Sequence, residues 1–124
     1  MANSETQIRS HRDLIVWQKA THLVAAVYQV SKEFPREELY CLTSQLRRAA
    51  ISVPANISEG QGRRSKKEFC QFLGNARGSL LELDTHLALA LGFGYVKLEQ
   101  YAVIESQIQE VGRLINGLLR ALSN

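Results

Sequence analysis

Between Leu98 and Leu122 the apolar residues Tyr101, Ile104, Ile108, Val111, Ile115, Leu118 and Leu122 recur at spacings of three and four without a break. At about 3.6 residues per turn, that spacing lays one apolar stripe along a long helix. A helix cannot cover its own stripe, so the rest of the chain must supply the helices that bury it.

Three further segments answer. The first helix is expected from about Leu14 to Lys32, with Asp13 as N-cap and Pro35 closing the segment. Its apolar residues, among them Trp17, Leu23, Val24, Val27 and Tyr28, crowd more than one face, and such a helix needs more than one neighbour. The second is expected to begin near Glu37 and Glu38, whose carboxylates suit a helix N-terminus, and carries Leu39, Leu42, Leu46, Ala49 and Val53 as its seam. Asn56 is polar at the next seam position, Pro54 should bend the helix, and Gly60 is the expected C-terminal cap. The third starts at Ser65, where Glu68 three residues on completes a capping box. It continues through Phe69, Leu73, Ala76, Leu80, Leu83, Leu87 and Ala90, with Gly92 as its end. Leu80 to Leu91 is apolar almost all round.

Short connections between long helices predict an all-α, antiparallel, up-down-up-down four-helix bundle. The expected organisation is a flexible segment over residues 1–13 and one bundle domain over 14–122. With 124 residues, 45% of them hydrophobic, the chain can bury a core without disulfide or metal. Cys41 and Cys70 form no metal-binding spacing and are expected as separate, buried or half-buried thiols roughly 20 Å apart along the bundle. The polar start at Met1 to Gln7 lacks the layout of a signal peptide, and no apolar run is long enough to span a membrane, so the expected compartment is the cytoplasm.

Charge is placed unevenly. Between Arg47 and Arg77 stand seven basic residues, Arg47, Arg48, Arg63, Arg64, Lys66, Lys67 and Arg77, against two acidic ones, for a net +5, while the remainder carries −2. The sharpest candidate site is the run from Gly60 to Lys67, where Arg63, Arg64, Lys66 and Lys67 meet the positive end of a helix, a combination suited to phosphate. An exposed loop that tolerates charge is the alternative. Base-stacking aromatics are missing from the run, apart from Phe69, so backbone contact without base readout is the expectation.

Polar residues keep a period of their own. Glu68, Gln71, Asn75, Ser79, Glu82 and His86 share one face of the third helix, and Gln45, Arg48, Ser52 and Glu59 one face of the second. Either both faces are solvated, or they meet, with Arg47 or Arg48 pairing Glu59 or Glu82 at a helix or subunit contact. Asn56, Glu59, Ser79 and Glu82 are thus candidate structural polar residues. No catalytic residue, metal or cofactor is expected: Glu82 and His86 have the wrong spacing for a di-iron motif, and no nucleotide or nucleophile signature is present.

The blocks Leu14–Ala20, Gln45–Gly60, Gly78–Leu80, Glu82–Leu83, His86–Leu87 and Leu91–Gly92, with Arg63, Phe69, Phe72, Leu73, Ala76 and Tyr95, resemble the four-helix-bundle family encoded in intervening sequences of 23S ribosomal RNA genes. The resemblance implies a ring-like or barrel-like homopentamer without known enzymatic activity. It also implies kinship to the accessory protein of diversity-generating retroelements, which binds a reverse transcriptase and nucleic acid. The expected function is accordingly a non-catalytic homo-oligomer that touches RNA or DNA backbone, the alternative being a protein-interaction scaffold.

Overall fold

The computed structural model describes His11 and residues 14–123. Among them stand four α-helices and no strand: α1 (Ile15–Ser31), α2 (Leu42–Gln61), α3 (Lys66–Gly92) and α4 (Leu98–Ser123), with one 3-10 turn at Arg36–Glu38. Each helix touches the next, and α4 returns to α1. The expected flexible segment, His11 apart, and the Asp13 cap lie outside the described residues. No described helix is long and apolar enough to cross a membrane.

The stripes read from the sequence form the core. Leu23 and Val27 of α1, Leu46 and Val53 of α2, Leu73, Leu83 and Leu87 of α3, and Ile108 and Ile115 of α4 are buried, and the periphery of the core includes Trp17, Phe69 and Tyr101. After Val53 the α2 seam continues through Ile57, which is fully buried, and not through Asn56, which is half-buried. Lys19 and Glu110, 3.4 Å apart, join α1 to α4 at the surface.

Both ends of α2 differ from expectation, each for a local reason. Helix α2 begins at Leu42, because Glu37 and Glu38 lie in the 3-10 turn, and Leu39 is exposed and off the seam. Glu38 still serves the helix start: its Oε1 accepts the Leu42 N–H at 3.3 Å and its Oε2 accepts the Tyr95 hydroxyl at 2.9 Å, tying the turn to the α3–α4 loop. That acceptor on a carboxylate, with partial burial, raises the Tyr95 phenol above its ordinary range. Gly60 is no cap; α2 runs on to Gln61, and Gly60 is buried beneath α3, where a Cβ would stand 2.7 Å from Phe72 Cβ. Helix α3 ends at Gly92 as expected, and Gly94 turns the chain just beyond it. Gly94 has φ +80°, its N–H reaches Leu91 O at 3.0 Å, and the Tyr95 N–H reaches Ala90 O at 2.9 Å, the paired bonds of a Schellman turn.

Helix α2 continues through the buried Pro54. Cys41, in the turn ahead of α2, is exposed rather than buried, and Cys70 is half-buried; both are free thiols.

Candidate nucleic-acid interface

The connection from α2 to α3 is only a few residues long and its geometry is set from both sides. Gly62 donates to Ser58 O at 3.2 Å and Arg63 to Gly60 O at 3.0 Å, which winds down α2. Ser65 then opens α3: extended at φ −117°, ψ 151°, it accepts the Glu68 N–H on its hydroxyl at 3.1 Å. Lys66 and Lys67 are therefore the first two residues of a 27-residue helix, where backbone N–H groups lack intrahelical acceptors and the helix dipole is positive.

The four cations of this turn divide. Arg63 is engaged within the chain, 2.6 Å from Glu59 Oε2 and with its guanidinium 4.7 Å above the Phe72 ring. Arg64, Lys66 and Lys67 are exposed and make no ion pair among the described residues. Three cations and a helix N-terminus thus face solvent at one end of α3.

The other basic residues stand elsewhere. Arg47 belongs to the α1–α2 contact: its Nε donates to Ser31 Oγ at 2.8 Å, and its guanidinium lies 4.6 Å over the Tyr28 ring. Arg48 is exposed on an open groove with Tyr40 and Ile51, roughly 22 Å from Arg63 at the rise of an α-helix. Arg77 reaches α4, donating from Nη1 to Asn116 Oδ1 at 3.0 Å. The +5 segment is therefore three separate places on the fold, and of its own cations only those of the turn stand several together and unpaired.

The two polar stripes meet through hydroxyls instead of charges. Ser52 and Ser79 share a 2.8 Å hydrogen bond across α2 and α3, and the Asn56 amide donates back to Ser52 O at 2.8 Å and Ser52 Oγ at 3.0 Å. Asn56 thus binds its own helix, one turn back, and not the Ala50 carbonyl freed by Pro54. Within the chain Arg47 and Arg48 form no ion pair with Glu59 or Glu82: Glu59 holds Arg63, and Glu82 lies 3.6 Å from His86 Nε2, beyond hydrogen-bond reach.

With the helices and the turn in place, comparison with known proteins is informative. A family model described as the 23S rRNA-intervening sequence protein matches residues 12–117. The chain belongs to the 23S rRNA-intervening sequence protein family. Its fold is similar to the crystal structure of a protein of unknown function from the S23 ribosomal protein family of Bacteroides thetaiotaomicron, with a TM-score of 0.79 and 23% identity over 86% of this chain and 96% of that one. The comparison with curated proteins returned no match.

An acidic pair across two helices is not legible along either helix alone. Asp84 of α3 stands against Glu105 of α4, and a shared hydrogen bond with Glu105, desolvation and the neighbouring negative charge push its carboxyl up to about 6. Burial and the same two acids also raise the Tyr101 phenol. The only signal for this cluster is the register between α3 and α4, which no spacing along a single helix reveals. No group of three or more His, Cys, Asp or Glu residues is placed to hold a metal ion among the described residues.

Proposed function

We propose that this member of the 23S rRNA-intervening sequence family is a non-catalytic, cytoplasmic, homo-oligomeric module that holds RNA or DNA backbone through its α2–α3 turn. The observation that carries the reading is the trio Arg64, Lys66 and Lys67, exposed and unpaired beside the N-terminus of α3. Point charges and helix-end donors bind phosphate without reading bases, so affinity is sequence-tolerant and salt-sensitive.

The same reading takes the four helices as antiparallel, up-down-up-down, and the assembly as a pentamer. Ile15, Leu81, Leu98 and Val103 are 61–67% exposed, more large apolar surface than a lone bundle of this size needs to show, and a second copy is the natural cover. Repetition around a ring multiplies the weak turn site and raises avidity without any new contact. A reverse transcriptase is a candidate protein partner of such a ring.

A second reading, a protein-interaction scaffold without nucleic-acid contact, is favoured by the engagement of Arg63 with Glu59 and Phe72, which removes one cation from the turn. Anisotropy titration of labelled RNA and DNA separates the two. Binding that weakens when Arg63, Arg64, Lys66 and Lys67 are all replaced by alanine supports the first reading, and no binding at low salt supports the second.

A further inference from the structure

Arg77 of α3 reaches the face of α4 that carries Asn116, and Arg113 and Arg120 stand on that same face, one turn to either side of it. Arg77 crosses from α3 to Asn116, 3.0 Å from its Oδ1. Arg120 folds back along α4, so that its Nη2 stands 3.8 Å from the place a Cβ would occupy on the neighbouring Gly117. Arg113 lies one turn before Gly117 on the line that leads to Arg120, and the missing side chain at 117 leaves bare backbone between the two arginines. All three arginines are exposed, and none has a carboxylate within salt-bridge distance among the described residues.

Packing and helix chemistry do not account for the group. Arg120, in the last turn of α4, offsets the negative end of the helix dipole, an effect that fades beyond that turn and so leaves Arg113 and Arg77 unexplained. Asn116 is a neutral partner, which orients one guanidinium and cancels none of its charge. Three like charges gathered without a counterion repel one another, and an anion between them relieves the repulsion.

We propose that Arg77, Arg113 and Arg120 form a second phosphate-holding site on the α3–α4 face, and that its ligand is the phosphodiester backbone of the nucleic acid held by the α2–α3 turn. This inference rests on the nucleic-acid reading of that turn. Lys66 and Arg77 lie roughly 16 Å apart along α3, a span that a run of nucleotides bridges and a lone phosphate does not. Guanidinium forks suit phosphate oxygens, two N–H groups to two oxygens, and Asn116 holds one of the forks in place. The polyanion therefore runs from the start of α3 toward α4, away from Arg47 and Arg48.

The test uses the full chain carrying R113Q and R120Q, exposed positions whose side chains make no hydrogen bond among the described residues, so that the Arg77–Asn116 contact is kept. A lysine pair, R113K with R120K, serves as the charge-retaining control, and helicity is recorded for both. With a labelled single-stranded RNA long enough to span both sites, the glutamine variant should bind more weakly. Its slope of log affinity against log salt should be shallower by roughly 1.4, since two phosphates are no longer neutralised at about 0.7 each on a single strand, while the lysine variant keeps most of the slope. Unchanged affinity and slope in the glutamine variant, when substitutions in the turn do weaken binding, overturn this site and leave the turn standing. Absence of RNA binding by the wild type overturns both. Equal affinity for polyglutamate and RNA at matched salt overturns the phosphate assignment in favour of an acidic protein.

Discussion

Ser52 on α2 and Ser79 on α3 share a hydrogen bond of 2.8 Å, and Asn56 closes onto the same Ser52 hydroxyl at 3.0 Å. This is a small polar joint in an otherwise apolar helix pair. Replacing either serine by alanine leaves a half-buried partner unsatisfied and should cost about 1 kcal/mol, and Asn56→Ala about 1–2 kcal/mol. Denaturant unfolding of the two single serine variants and their double variant should give a coupling energy of about 0.5 kcal/mol or more. Strict additivity would mean that the hydroxyls do not interact.

Gly60 and Gly78 should respond to alanine in opposite directions. At Gly60 a Cβ would lie 2.7 Å from Phe72 Cβ and 2.9 Å from the Phe69 ring, so α3 must move away, at about 1–3 kcal/mol. At Gly78 nothing stands within 4 Å, so the better helix former should stabilise by about 0.5–1 kcal/mol. Thermal midpoints of the two variants check both signs.

These two glycines also mark what the sequence discloses. The three-four stripes place the core residues of α1, α3 and α4 and the middle of α2, since burial follows periodicity once neighbours exist on every side; at the ends of α2, Leu39 is exposed and Ile57 takes the core position read as Asn56. Helix ends are harder to place, because Gly60 and Gly62 are equally able to stop a helix, and the packing of Phe69 and Phe72 over Gly60 decides between them. The end of α3 at Gly92 is legible, whereas the positive φ of the turn falls on Gly94, two residues on. At the candidate interface, the turn from Arg63 to Lys67 is legible as a cationic run at a helix start, but Arg63 bonding Glu59 and stacking on Phe72 is not. Arg47 reads as surface charge, yet it is fixed over Tyr28. Contacts between helices, such as Asp84 with Glu105 or Arg77 with Asn116, depend on a register that hydrophobic spacing leaves free.

The Asp84–Glu105 pair carries a pH dependence. The folded carboxyl titrates near 6, against 3.8 when unperturbed, so between these values the folded chain holds a proton that the unfolded chain has lost. The contribution to stability is greatest on the acid side, declines as pH rises through that window and is flat above it. Asp84→Asn should remove the decline and raise stability at neutral pH by about 1 kcal/mol or less, after allowance for solvent screening. Thermal unfolding of both proteins across this window is the check, and parallel pH curves would contradict the assignment.

Oligomerisation has a direct readout. Light scattering should give close to five times the 13.9 kDa chain mass at micromolar concentration. A mass at 13.9 kDa would leave Leu81, Leu98 and Val103 exposed in solution and remove the ring from the account.

The central claim, that the α2–α3 turn holds nucleic-acid backbone, is tested most directly by the salt dependence of RNA affinity for wild type and the Arg64→Ala, Lys66→Ala, Lys67→Ala variant. These are the unpaired cations, so the Arg63–Glu59 contact stays intact. The account predicts a steep linear fall of log affinity with log salt for the wild type, and a slope smaller by roughly 2–3 for the variant, at about 0.7–0.9 for each phosphate no longer neutralised, with helicity unchanged. Equal slopes and affinities for the two proteins, or no binding by the wild type at low salt, would contradict it.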